Sequence, residues 1–110
     1  MKIHLLRERA TPHQVAEMLE ELKTYIKLAV DVERGIVAGG GEWHADCEQV
    51  LLNDGSRQED IWGADWYPEE NLVRFEALIN IRPRQNNRTM IIQDSTLQTR
   101  IEQIVRSIFA

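Results

Sequence analysis

Apolar residues recur at two different periods along this chain, and the change of period marks out its elements. Val15, Met18, Leu19, Leu22, Ile26 and Ala29 are spaced by threes and fours, which predicts an amphipathic helix. Thr11, Pro12 and Gln14 mark its start: a hydroxyl cap, a proline suited to the first helical position and the glutamine of a capping box. Glu17, Glu20, Glu21, Lys23 and Lys27 fill the other side, which reads as a solvated face. Ahead of this helix, Ile3 to Leu6 has the length of a short strand, ended by Arg7-Glu8-Arg9. Val30-Asp31-Val32 alternates like a strand, and Gly35 interrupts it before Ile36-Val37-Ala38. Gly39 to Gly41 lacks the strand-to-helix setting of a phosphate-binding loop and is expected to bend the chain into the next strand.

From Glu42 onward the period is two. Asp54-Gly55 predicts a hairpin that sets Cys47 opposite Trp62, Ala45 opposite Ala64 and Trp43 opposite Trp66. A second turn at Pro68-Glu69-Glu70-Asn71 sets Trp66 opposite Val73, Ala64 opposite Phe75 and Trp62 opposite Ala77. The two turns agree on one apolar face across three strands. After a loop at Pro83–Asn87, Met90 and Ile92 continue that side in a fourth strand. Asp94 or Ser95 then caps a last helix whose stripe is Leu97, Ile101, Ile104, Val105 and Ile108. The expectation is a single α+β domain over residues 1–110, an antiparallel meander of four to five strands. Its N-terminal and C-terminal helices would pack on one face, over the three tryptophans.

The same register fills the reverse face with polar chemistry. In a strand, Glu42, His44 and Asp46 share one side, and one imidazole with two carboxylates is a ligand set for a divalent metal with positions left open for water. Asp65 falls between His44 and Arg74, so His44 oriented by Asp65 is the acid–base candidate, with no nucleophile beside it. Tyr67 and Glu76 lie on the same side. Val50, Leu52, Ile61, Leu78 and Ile91 make the far end of this face apolar, which calls for a bulge near Glu48 or burial against a second chain.

Composition narrows the classes of function. At 110 residues, with 43% hydrophobic and 28% charged positions, the chain can bury a core and is not of a disordered type. The net charge of −5 opposes nucleic-acid binding, and the tryptophans, expected in the core, offer no stacking platform. Residues 42–70 carry nine acids against Arg57, whereas residues 74–88 carry four arginines against Glu76. Arg82, Arg84 and Arg88 flank the Pro83–Asn87 loop and are the candidates for clamping a small anionic ligand. Cys47 is the single cysteine, which excludes a disulfide scaffold. The charged opening Met1-Lys2-Ile3-His4-Leu5-Leu6-Arg7-Glu8 is unlike a signal peptide, and no segment has the length of a membrane span, so the cytoplasm is the expected location.

Five pieces of the sequence occur in a familiar order: Gly-Gly-Glu-Trp-His-Ala-Asp at 40–46, Asp-Gly-Ser at 54–56, Gln-Glu-Asp-Ile-Trp-Gly at 58–63, Leu-Ile-Asn-Ile-Arg-Pro at 78–83 and Asn-Arg-Thr-Met at 87–90. Together they resemble a small prokaryotic family, found in cyanobacteria among others, that is known as a domain of unknown function. The resemblance spans nearly the whole chain. It implies a cytoplasmic single-domain protein and carries over no catalytic residues.

Two functions follow as expectations. The first is a non-catalytic binding or interaction protein that uses the reverse sheet face for self-association, as a homo-oligomer, or for a small anionic ligand. The alternative is a small metal-dependent hydrolase centred on Glu42, His44 and Asp46.

Overall fold

The computed structural model describes residues 3–110; Met1 and Lys2, part of the charged opening weighed above, lie outside them. In chain order the elements are β1 (His4–Leu6), α1 (Pro12–Met18), β2 (Ile26–Asp31), β3 (Ile36–Gly39), α2 (His44–Asn53), β4 (Ile61–Tyr67), β5 (Leu72–Arg74) and α3 (Ser95–Phe109). Short 3-10 turns stand at Gln58–Asp60, Leu78–Asn80 and Pro83–Gln85. The five strands form one antiparallel sheet in the order β1-β3-β2-β4-β5, an α+β fold. Only β2–β3 and β4–β5 are consecutive neighbours, so the sheet is not a simple meander. Among the described residues no helix is long and apolar enough to cross a membrane.

Alternation along β2 separates two cores. Leu28 and Val30 pack in one cluster with Met18 of α1, Trp62 and Trp66 of β4, and Ile101, Ile104, Val105 and Ile108 of α3. Ala29, between them, belongs to a second cluster with Ala38, Ile61, and Cys47 and Leu51 of α2. Neighbouring residues of a strand point to opposite faces, so α2 covers the face that the tryptophans do not.

This helix is the main departure from the sequence reading, which made residues 42–52 a strand. Trp43, Ala45 and Cys47 do alternate, but Cys47, Val50 and Leu51 are spaced for a helix, and Cys47 and Leu51 are its buried positions. Asp54-Gly55 ends that helix and does not turn a hairpin: Asp54 is the cap and Gly55 follows with φ +100°. The expected pairings of Trp43, Ala45 and Cys47 with β4 therefore do not occur, and β4 pairs with β2 (Ile26 opposite Trp66, Val30 opposite Trp62). Trp66 does lie opposite Val73, as the Pro68–Asn71 turn predicted. The first helix starts with the expected box, Thr11 Oγ1 accepting from Gln14 N and Gln14 Oε1 from Thr11 N. It stops at Met18; the apparent continuation through Ile26 and Ala29 is the inner strand β2, whose residues from Leu28 to Asp31 are all buried.

Between β5 and α3, residues 75–93 contain little regular structure, and three polar side chains fix them. Buried Asn80 serves the edge of β4 beyond β5: its Oδ1 accepts from Gly63 N (2.8 Å), and its Nδ2 donates to the carbonyls of Gly63 (3.0 Å), Phe75 (3.3 Å) and Met90 (3.2 Å). Buried Asn87 donates to the carbonyls of Asn80, Thr89 and Ile91 and accepts from Gln93 N. Arg82 extends the seal by donating to Ile61 O (2.6 Å). Gly63 is required where this segment crosses β4, because a Cβ there would lie 2.4 Å from Ala77 Cβ.

Candidate functional site

The site lies where the N-terminus of α2 meets the centre of the sheet. Gly40 (φ 107°) and Gly41 (φ 76°) turn the chain back after β3 through a conformation that side chains disfavour. Gly40 N donates to Lys27 O and Lys27 Nζ to Glu42 O (2.8 Å), which ties the turn to β2. The helix then opens with His44 over β4. Trp43 occupies its N-cap position without a side-chain cap, so the first amides of α2 end in a weakly positive, uncapped terminus.

His44 Nε2 lies 2.8 Å from Asp65 Oδ1 and 3.1 Å from Ala64 O. Both partners are acceptors, so Nε2 carries the proton, and no hydrogen bond to Nδ1 is made among the described residues. The pair is well buried, with 12% of the His44 side chain and 9% of the Asp65 side chain exposed. Asp65 sits in a row across three strands, opposite Lys27 of β2 and opposite Arg74 of β5. Tyr25 and Tyr67 stack beside it, ring centroids 4.9 Å apart and 7° from parallel. Burial, and then the charge of Asp65, raise both phenols above their ordinary pKa. Arg74 covers the Tyr67 ring at 5.3 Å.

These groups line a pocket of about 330 Å³ whose far wall is Glu76, Ala77, Leu78, Ile79 and Met90, from the segment that Asn80 and Asn87 hold. Trp43 completes the mouth. It is 60% exposed, against the expectation that all three tryptophans are core; only Trp62 and Trp66 are buried.

The sequence-derived candidates separate. His44 and Asp65 are brought together, and Tyr67 and Glu76 join them as the register implied. Glu42, His44 and Asp46 do not share a face: Glu42 precedes the helix, and in a helix positions two apart point in different directions. Among the described residues no group of three His, Cys, Asp or Glu side chains is placed to hold a metal. Nor do the arginines form a clamp. Arg82 turns inward and spends its five donors on Ile79 O, Gln58 O, Gln85 Oε1, Ile61 O and Glu48 Oε2, while Arg84 and Arg88 stay exposed. Burial lowers the Arg82 pKa, partly offset by Glu48. The apolar end expected on this face is accounted for by α2, which covers Ile61 and carries Val50 and Leu52; Leu78 and Ile91 remain exposed.

Tyr25 and Lys27 are absent from the sequence-derived candidates because the stretch through Ile26 and Ala29 fits a helical period, which puts Lys27 on a solvated helix face. The alternation of Ile26, Leu28 and Val30 against Lys27, Ala29 and Asp31 was the available signal.

No curated protein and no solved structure is significantly similar to the chain. The chain belongs to the family described as Protein of unknown function (DUF5674), whose model matches residues 4–108.

Proposed function

We propose that this is a non-catalytic binding protein that takes a small anionic ligand with an apolar body in the pocket beside His44 and Asp65. The observation that carries the reading is Lys27. Its ammonium stands at the pocket beside the uncapped end of α2, bonded to a backbone carbonyl and to no carboxylate among the described residues. Trp43, Leu78 and Met90 supply apolar surface at the same opening. The non-catalytic part is supported by Cys47, the single thiol, which is buried and pushed up to about 12 by burial and so is no activated nucleophile. Thermal unfolding in millimolar acetate, phosphate and phenylacetate tests the proposal. Phenylacetate should stabilise most, and Lys27→Met should remove the effect; a melting temperature indifferent to every anion would reject it.

Self-association is a second reading, favoured by Leu78, Ile81, Met90 and Ile91, all exposed on the 75–93 segment. Sedimentation at micromolar concentration separates a dimer from a monomer, and Leu78→Lys with Ile91→Lys should dissociate the dimer. A hydrolase using His44 as base is left with Asp65 as its orienting group and, among the described residues, no assembled metal triad; metal analysis of purified protein tests the metal-dependent form. The cytoplasmic location belongs to the proposal and is supported by the lone buried cysteine.

A further inference from the structure

The anionic ligand proposed above leaves half of the pocket's charge without a use. Asp65 Oδ1 receives the His44 proton, but no hydrogen bond reaches Asp65 Oδ2 among the described residues. Glu76, on the far wall, is exposed and makes no ion pair or hydrogen bond among them. Lys27 lies opposite Asp65 in the register, yet it forms no ion pair with either carboxylate. Opposite charges therefore border one cavity without neutralising each other.

Resting on the anionic reading, we propose that the ligand is a zwitterion: a free α-amino acid with a large apolar side chain. A ligand bearing only a carboxylate would meet Lys27 but leave Asp65 and Glu76 uncompensated, and one bearing only an ammonium would meet them but leave Lys27 and the positive end of α2 uncompensated. A molecule with both groups on one carbon satisfies the two sides together, its carboxylate toward Lys27 and its ammonium toward Asp65 Oδ2 and Glu76. The side chain then has Trp43 and Leu78, the two most exposed large hydrophobic residues among those described (60% and 71%), both at the pocket. Size agrees. A volume of about 330 Å³ is at the small end of the roughly 300–1,000 Å³ typical of ligand pockets, enough for one amino acid and too small for a length of peptide.

Calorimetric titration of the full chain with L-leucine, L-methionine, L-phenylalanine and L-tryptophan tests this, alongside N-acetyl-L-phenylalanine, L-phenylalaninamide and phenylacetate. At least one of the four amino acids should bind. For phenylalanine, removing either charge should weaken binding by about tenfold or more, the loss of a charge-assisted hydrogen bond on that side of the ligand. Glu76→Gln should bring phenylalanine and its N-acetyl form closer together, and Lys27→Met should do the same for phenylalanine and its amide. If the N-acetyl form or phenylacetate binds as tightly as phenylalanine, the ammonium is not recognised; the inference fails and the anionic reading stands. If the amide binds as tightly as the amino acid, or if no compound binds, both fail.

Discussion

Replacing Asn80 by alanine tests whether one amide side chain stands in for a missing strand. Asn80 is fully buried, and its amide makes the four hydrogen bonds described above. Phe75 O and Met90 O retain backbone partners in Ile92 N and Ala77 N, so they are not orphaned by the substitution. Gly63 is different: its N–H and C=O point away from β2 and meet only the Asn80 side chain. Truncation leaves two buried backbone groups unsatisfied, at about 1–3 kcal/mol each, for an expected loss of about 4 kcal/mol. That is a large part of the roughly 5–15 kcal/mol that holds a domain of this kind folded, and corresponds to a fall of about 15 °C in melting temperature. Urea unfolding should show a lower midpoint with an unchanged slope, and exchange of the Gly63 amide, slow in the parent, should become fast. Asn80→Asp sharpens the test. At neutral pH it turns a carboxylate toward the carbonyls of Gly63, Phe75 and Met90, so it should be worse than alanine and recover as the carboxyl is protonated. A loss under about 1 kcal/mol for alanine, or an aspartate tolerated as well as asparagine, would refute the reasoning.

Three further outcomes follow from single contacts. Gly63→Ala places a Cβ 2.4 Å from Ala77 Cβ and 3.1 Å from Ile79 Cγ1; thermal unfolding should show a loss of about 1–3 kcal/mol, and a neutral result would mean the 75–93 segment does not press on β4. Cys47, buried and donating to Gly40 O, with its thiol near 12, should resist iodoacetamide at neutral pH until the protein unfolds; rapid alkylation of the native chain would contradict that burial. The Asp54 carboxyl is held below its ordinary pKa by hydrogen bonds from Arg34 and then Arg7, so its stabilisation is present above the usual aspartate value of about 3.9 and is lost as pH falls through the lowered one. Asp54→Asn should therefore flatten the acid limb of a stability–pH curve, and an unchanged limb would count against the pairing.

Elements closed by local chemistry were legible in the sequence. The box at Thr11 and Gln14, the cap at Asp94 and the Trp66–Val73 pairing each depend on residues close together in the chain. The pairing of His44 with Asp65 was also anticipated, though for a partly wrong reason. The strand reading put His44 beside β4 by register, whereas the structure reaches the same neighbour by laying a helix end over it. Where two periods fitted one stretch, long-range packing decided between them. Trp43, Ala45 and Cys47 fit a strand and Cys47, Val50 and Leu51 fit a helix; the second core, which α2 covers by setting Cys47 and Leu51 against Ala29, Ala38 and Ile61, selects the helix. Arg82 shows a different limit. Nothing local distinguishes it from Arg84, and only its burial beneath Gln58 and Ile61 removes it from the surface.

An edge of β4 closed by the side chains of Asn80 and Arg82 has a meaning beyond stability. An unpaired strand rim invites a neighbouring molecule to add its own backbone and so begin a fibre. Here that rim is plugged by groups that cannot propagate a ladder, so damage to the plug should first be seen in the insoluble fraction of the cell, with chains joined through Gly63 before they have wholly unfolded.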